Sequence, residues 1–168
     1  MSMNHPQRKR NRLAEYDYDT ANAYFITVCT DDRKNLFWEH IETVIGGPEN
    51  VPLTSLGKVA KQCIVDIPKY YPAVSLDHYV IMPNHIHLLL QIHTDSNGRS
   101  MTAPTISTVV RLMKGTVTKQ VGFPVWQKGF YDHIVRGEMD YRKYGGILTG
   151  IQADGQRINS FGDEKGYL

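Results

Sequence analysis

Two histidines separated by a single residue are the side chains in this sequence best suited to chemistry. His85 and His87 lie in the apolar run HIHLLLQI, whose composition is typical of a β-strand. Because side chains alternate along a strand, both imidazoles point to the same face and can share one metal ion. The spacing alone is a weak motif, since two half-buried polar residues can also simply complete a sheet face.

The elements that must position this pair follow from hydrophobic periodicity. Apolar residues at three- and four-residue steps predict two helices, the first from Leu56 to Ile67 and the second from Ile106 to Val117. Strands are predicted at residues 24–30, 76–82, 85–92 and 130–136. This order predicts an α+β fold, a ferredoxin-like split β-α-β arrangement whose antiparallel sheet carries two helices on one face.

The 168 residues fit one folded domain with flanking segments. We expect a basic arm over residues 1–19, the folded domain over 20–136 and a degenerate segment over 137–168. Six of the 14 glycines fall in the last 24 residues, and hydrophobic periodicity fades after Tyr144. The C-terminal tail is therefore predicted to be irregular.

The basic arm is a candidate contact surface for nucleic acid. Its cations can neutralise phosphates, although such a cluster is also typical of a solvated terminus. They are Arg8, Lys9, Arg10 and Arg12. The net charge of the chain is only +2, which does not by itself favour a nucleic-acid partner.

Export and membrane insertion are not expected from the sequence. No apolar run is long enough to span a bilayer, and the basic N-terminus lacks the apolar stretch of a signal peptide. Cys29 and Cys63 lie in apolar surroundings typical of small core residues in a reducing compartment, and a disulfide between them is left open. We therefore expect a cytoplasmic protein without a membrane partner.

The segment YVIMPNHIHLLL, from Tyr79 to Leu90, resembles the HUH-class tyrosine transposases of single-stranded DNA, in particular their REP-associated branch. Other segments resemble the family in the same order over roughly residues 8–143, which is far more specific than one motif. They are RLAEYDYDTANAYFITVCTDDRKNLF, LTSLGKVAKQCIVDIP, ISTVVRLMKGTVTK and VWQKGFYDHIVRGEMDY.

The resemblance implies a function and a metal. His85 and His87 would hold a divalent ion, Mg²⁺ or Mn²⁺, that polarises the scissile phosphate. A tyrosine from a C-terminal helix would then attack, giving a 5′-phosphotyrosine and a free 3′-hydroxyl. The implied partner is single-stranded or hairpin DNA, contacted by the basic arm and by Arg111, Lys114 and Lys128. A homodimer is left open.

The chain departs from the family where the nucleophile should stand. The family pattern continues as Tyr-Ile-x-x-Asn-Pro, and the resemblance puts its tyrosine at position 147. Here that residue is Ile147, while Ile151 and Gln152 occupy the asparagine and proline positions. Strand cleavage and joining are therefore expected to be impaired in this chain.

Tyr144 is a candidate substitute nucleophile. It stands three residues before Ile147, which on a helix is a neighbouring position on nearly the same face. Gly145 and Gly146 follow it directly and weaken a helix there.

A frameshift at about residue 144 would explain the loss of the pattern. The genetic code allows KYGGILTGIQADGQRINSF to be re-read with each codon displaced by one base. The displaced frame can spell Ile-Trp-x-Tyr-Ile-x-Gly-Asn-Pro-Gly-Arg-Trp, with its tyrosine at position 147. The expected physical consequence is a tail with no reason to pack.

Three functions remain open from the sequence. The first is a transposase-family protein that binds single-stranded or hairpin DNA, with doubtful nicking activity. The second is a non-catalytic DNA-binding module, such as a repressor or a domesticated relative. The third is a metal-dependent hydrolase that uses only the histidine pair.

Overall fold

The computed structural model describes residues 23–40, 50–93 and 104–153. Within these ranges the chain forms four strands, four α-helices and a short 3-10 turn at Asp31–Arg33. The strands are β1 (Ala23–Cys29), β2 (Val74–Ile81), β3 (His85–Ile92) and β4 (Tyr131–Val135). The helices are α1 (Ser55–Val65), α2 (Ile67–Tyr70), α3 (Ile106–Val121) and α4 (Gly137–Ala153).

The strands form one antiparallel sheet in the order β2-β3-β1-β4. Helices α1 and α3 pack against each other over one face of this sheet. Alternate side chains of β1 and β3, including Tyr24, Ile26 and Leu88, are fully buried beneath them. The predicted α+β fold with two helices on one sheet face is confirmed.

Local signals in the sequence set the ends of the two long helices on this face. The Thr54 hydroxyl accepts a hydrogen bond from the Gly57 N–H at the start of α1, and Thr105 does the same for Thr108 at the start of α3. Helix α3 ends at Gly122, whose φ of 80° lies in the left-handed region.

A helix also forms where an irregular tail was predicted. α4 follows β4 directly, and the side chains of Tyr141, Tyr144 and Leu148 pack against the core. The prediction of irregular structure from about residue 144 is wrong for the part of the chain that reaches Ala153. Two glycines cost a helix about 1 kcal/mol each, but burying an apolar face supplies most of the stability of a helix within a protein.

α4 lies on the face of the sheet opposite to α1 and α3. The Tyr144 ring contacts the rings of Phe25 and His133, which are paired residues on β1 and β4. Phe25 alternates with Tyr24 and Ile26, so it points away from the other two helices. The remainder of the predicted tail, residues 154–168, lies outside the described residues, as does the basic arm.

Two further expectations bear on compartment and cross-linking. Cys29 and Cys63 are both free thiols. Among the residues described, no helix combines the length and the apolar character that crossing a bilayer requires.

Candidate metal centre

The two histidines lie on the sheet face that α4 partly covers. Their strand neighbours Ile86 and Leu88 are fully buried toward the other helices, so the imidazoles point to the α4 face. In the register of the sheet, His85 is opposite Cys29 and His87 is opposite Thr27. The prediction that both rings share one face is confirmed. His87 is nevertheless buried, with an exposed fraction of 7%, rather than facing an open groove.

The Nε2 atoms of the two imidazoles converge. His85 Nε2 and His87 Nε2 are 3.1 Å apart. Two nitrogens this close on one face could both bind one cation, so the imidazole pair fits a metal ion as two of its ligands. The described residues contain no group of three or more His, Cys, Asp or Glu side chains that could hold a metal. These ranges thus offer two nitrogen ligands.

Asn84 fixes the orientation of the His85 ring. Its amide nitrogen donates to the carbonyl oxygen of Arg33 at 3.3 Å, which leaves the amide oxygen facing His85. That oxygen lies 2.7 Å from His85 Nδ1 and can only accept, so His85 carries its proton on Nδ1. The Nε2 lone pair of neutral His85 therefore points toward His87.

Thr27 holds the second ring from the neighbouring strand. Its hydroxyl lies 2.9 Å from His87 Nδ1 and can either donate to that nitrogen or accept from it. When Thr27 donates, His87 Nε2 carries the proton and donates to His85 Nε2. When Thr27 accepts, both Nε2 lone pairs are free to bind one cation. The Thr27 hydroxyl therefore accommodates either tautomer of His87.

Both imidazoles are neutral at physiological pH. Burial, with a smaller contribution from the positive charge of Arg33, lowers the pKa of His85 to about 4. Burial also holds the pKa of His87 well below the usual 6.5, with His85 adding to the effect. Neutral imidazole is the form that ligates metals, so protons do not compete for these nitrogens near neutral pH.

A row of aromatic rings leads from the histidine pair to α4. The ring centroid of His87 lies 5.2 Å from that of Phe25, and Tyr144 lies 4.7 Å from Phe25 and 4.7 Å from His133. Burial raises the pKa of Tyr144, and the charge of Asp140 raises it further. A raised pKa disfavours the phenolate, which is the nucleophilic form.

Comparison with known proteins yields one relative and a shared fold. No protein-family model matches the chain. An uncharacterised protein from Haemophilus influenzae is 33% identical over 153 residues, which cover 80% of this chain and 82% of that protein. The chain belongs to the family of this Haemophilus protein.

The solved structure of a REP-associated tyrosine transposase bound to a REP hairpin superposes on this chain with a TM-score of 0.54. The two are 19% identical, over 81% of this chain and 70% of the other. A candidate transposase from Deinococcus radiodurans R1 matches less well, with a TM-score of 0.47 and 15% identity over 85% of this chain and 98% of the other. The family member thus has the fold of the REP-associated tyrosine transposases, as the resemblance in its sequence implied.

The basic residues that were predicted to contact DNA lie on different parts of the protein. Arg8, Lys9, Arg10 and Arg12 lie outside the described residues. Arg111 is exposed on α3, on the sheet face opposite to the histidine pair. The Lys114 ammonium donates to the carbonyl oxygens of Gln127 and Gly129, at 2.8 and 2.7 Å, and so holds the loop after α3. Lys128 is exposed on that same loop.

Three residues of the site were missed in the sequence. Thr27 becomes visible only through the β1–β3 register, which pairs residues 60 positions apart. Asn84 directly precedes His85, and a polar residue in that position was a signal that could have been used. Arg33 lies in a charged turn whose position beside the site depends on the folded chain.

Proposed function

We propose that this protein binds single-stranded or hairpin DNA and holds a phosphodiester of that DNA at a divalent cation bound by His85 and His87. The observation that carries this proposal is the convergence of the two Nε2 atoms, 3.1 Å apart on one sheet face. The fold supports it, because a REP-associated tyrosine transposase of this fold was solved bound to a REP hairpin.

The chain's own residues prepare the two nitrogen ligands. Asn84 and Thr27 orient the rings, and burial keeps both imidazoles neutral. Mg²⁺ or Mn²⁺ bound there would supply Lewis-acid polarisation of a phosphoryl oxygen.

Covalent strand cleavage is proposed to be impaired. Position 147 holds an isoleucine, which has no nucleophilic atom, although α4 is present to carry a residue there. Tyr144 is a poor replacement because burial raises its pKa and its ring is packed between Phe25 and His133. The protein is thus expected to bind DNA without forming a phosphotyrosine.

Metal binding can be tested independently of DNA by titrating the protein with Mn²⁺ and following the free ion by electron paramagnetic resonance. Wild-type protein should deplete one equivalent of free Mn²⁺, whereas His85→Ala and His87→Ala should lose this binding. His93→Ala is the matched control, because His93 is exposed just after β3 and its Nε2 lies 3.0 Å from the Ser75 hydroxyl, away from the histidine pair. Equal Mn²⁺ binding by all four proteins would refute the proposed metal site.

The DNA function is tested with end-labelled hairpins that carry single-stranded flanks, compared with blunt duplexes of the same sequence, with and without Mn²⁺. Preferential retention of the hairpin without cleavage is the expected result. A denaturation-resistant protein–DNA adduct would show that the chain remains an active transposase. Cleavage to free ends without an adduct, abolished in His87→Ala, would instead show a metal-dependent hydrolase. No preference for hairpin over duplex would contradict the proposal.

A further inference from the structure

The turn after β1 holds an arginine beside the histidine pair in an uncommon backbone conformation. φ is 50° at Asp32 and 52° at Arg33, both in the left-handed region. Residues other than glycine pay about 1–2 kcal/mol each for this conformation. Strained backbone persists only where the surrounding structure enforces it, and it concentrates at functional sites.

Hydrogen bonds from both sides enforce this turn. The Thr30 hydroxyl donates to the Lys34 carbonyl at 2.8 Å, and the Arg33 N–H donates to the Thr30 carbonyl at 3.2 Å. The Arg33 carbonyl accepts from the amide of Asn84, whose oxygen faces His85 Nδ1. One asparagine therefore fixes both the arginine turn and the His85 ring.

The backbone places Arg33 at the end of the sheet where the histidine pair begins. Cys29 pairs with His85, the Thr30 N–H donates to the Asn84 carbonyl at 3.0 Å, and Arg33 follows on this turn with an exposed side chain. Within the described ranges no carboxylate forms an ion pair with the Arg33 guanidinium. The adjacent carboxylate, that of Asp32, pairs instead with Lys34 at 3.6 Å. The forked N–H donors of Arg33 match the oxygens of a phosphate.

We propose that Arg33 grips the DNA phosphodiester that lies at the histidine pair, donating hydrogen bonds to its non-bridging oxygens. This inference rests on the proposed function and adds a residue that selects a single backbone phosphate. The strained turn has a reason under this assignment, because a relaxed backbone would carry the guanidinium to a different place.

The test combines variants of Arg33 with hairpins in which one phosphate at a time is replaced by an uncharged methylphosphonate. Arg33→Asn is the main variant, because asparagine tolerates the left-handed backbone and lacks the charge. Arg33→Lys keeps the charge without the fork. Lys61→Gln is the matched control, because Lys61 is exposed on α1, on the other face of the sheet. Melting curves establish that each variant is folded.

Arg33→Asn should weaken hairpin binding by about 10- to 100-fold, the range for a lost charge-assisted hydrogen bond. It should also reduce the slope of log K against log salt by about 0.7, the value for one phosphate of a single strand. At one linkage the methylphosphonate should weaken wild-type binding and have no further effect on Arg33→Asn. Lys61→Gln should bind as wild type does, and Arg33→Lys should fall between.

Two failures are distinguishable. If wild-type protein binds hairpins but Arg33→Asn binds with the same affinity and salt slope, Arg33 does not contact the phosphate and the proposed function stands. The same holds if the effects of the variant and the methylphosphonate add at every linkage. If wild-type protein does not bind hairpin DNA at all, the proposed function itself fails.

Discussion

At the scale of single residues, the histidine pair depends on two neighbours that are not metal ligands. Asn84 selects the His85 tautomer, and Thr27 can accommodate either tautomer of His87. Removing such partners of ligating histidines commonly weakens metal binding without unfolding the protein. The role of Thr27 is the easier of the two to isolate, because Asn84 also braces the turn at Arg33.

Thr27→Val should weaken Mn²⁺ binding by about 10-fold or more, because valine keeps the shape of threonine but leaves His87 Nδ1 without its hydrogen-bond partner. Thr27→Ser, which keeps the hydroxyl, should bind Mn²⁺ nearly as well as wild type. Isothermal titration calorimetry measures both affinities. Equal affinities of the valine and wild-type proteins would show that Thr27 does not prepare the ligand.

Part of this site could be predicted from the sequence. Strand alternation was enough to put His85 and His87 on one face, because it depends only on their spacing. It could not supply Thr27, because strand register is a property of the folded sheet, nor could it predict that His87 would be buried with its ring stacked on Phe25. Lys114 is an example of a residue whose predicted role the structure does not support. It was expected to contact DNA, but its ammonium donates to two carbonyl oxygens of the loop after α3.

At the scale of elements, the strands and the two helices of the first face were predictable because each repeats a clear hydrophobic period. α4 was not, because its glycines and weak periodicity obscure the four side chains that pack it against the core, Tyr141, Tyr144, Ile147 and Leu148. Its glycines still leave a measurable mark on stability. Gly146 is exposed with no atom near the position of a Cβ, whereas a Cβ on Gly57 in α1 would clash with the carbonyl oxygen of Phe37.

Gly146→Ala should stabilise the protein by about 0.5–1 kcal/mol, because alanine loses less backbone entropy in a helix and has room for its methyl group. Gly57→Ala, the same change in a crowded helix, should destabilise it. Urea denaturation followed by circular dichroism compares the two. A destabilising effect of Gly146→Ala would mean that residue 146 is not helical in the folded protein.

The start of α4 should respond to acid. The Asp140 carboxylate accepts from the Arg136 N–H at 3.0 Å and lies 3.1 Å from His133 Nε2, which ties α4 to β4. The Arg136 bond, followed by the His133 interaction, keeps the pKa of Asp140 below 3.8 despite an opposing effect of burial. Because this pKa is lower in the folded state than in the unfolded chain, its stabilising effect is present above about pH 4 and disappears as pH falls through the folded value.

Asp140→Asn should therefore melt at a lower temperature than wild type near neutral pH, and the difference should shrink as pH falls toward about 2.5. Melting curves of both proteins across this range provide the measurement. Glu138→Gln is the control, because Glu138 forms an exposed ion pair with Arg142 within α4. A difference between Asp140→Asn and wild type that stays constant with pH would contradict the role of the Asp140 carboxylate.

At the scale of the whole molecule, the placement of α4 gives position 147 its importance. The last residue of β4, Val135, pairs with Ala23, while Tyr144 on α4 contacts Phe25, two residues further along β1. Asp140 contacts His133 on β4, and the position of a Cβ on Gly145 lies 3.9 Å from the His78 ring on β2, so α4 crosses the sheet at about the level of Phe25. Position 147 lies on this helix, which packs on the sheet face that carries the histidine pair.

We predict that the gene, restored to the alternative reading frame from codon 144, encodes a protein that forms a covalent adduct with hairpin DNA in the presence of Mn²⁺. The adduct follows from the tyrosine that the displaced frame can place at position 147. Denaturing gels of labelled hairpin detect it, and the restored protein with phenylalanine at position 147 is the control. Sequencing supplies an independent check, since codons that cannot spell the tyrosine and asparagine in the displaced frame would refute the frameshift.

The strand order β2-β3-β1-β4 also determines when the sheet can be completed during synthesis of the chain. β1 is synthesised before the other three strands but pairs on both sides, with β3 and with β4. Its hydrogen bonds at Ala23 therefore cannot form until Gln91 and then Val135 have been synthesised. At about 5–20 residues per second, the first strand leaves the ribosome several seconds before its last partner. Until β4 arrives, one edge of β1 is unpaired and can join a neighbouring nascent chain. Yield at a given rate of translation should thus depend on chaperones that shield this one strand.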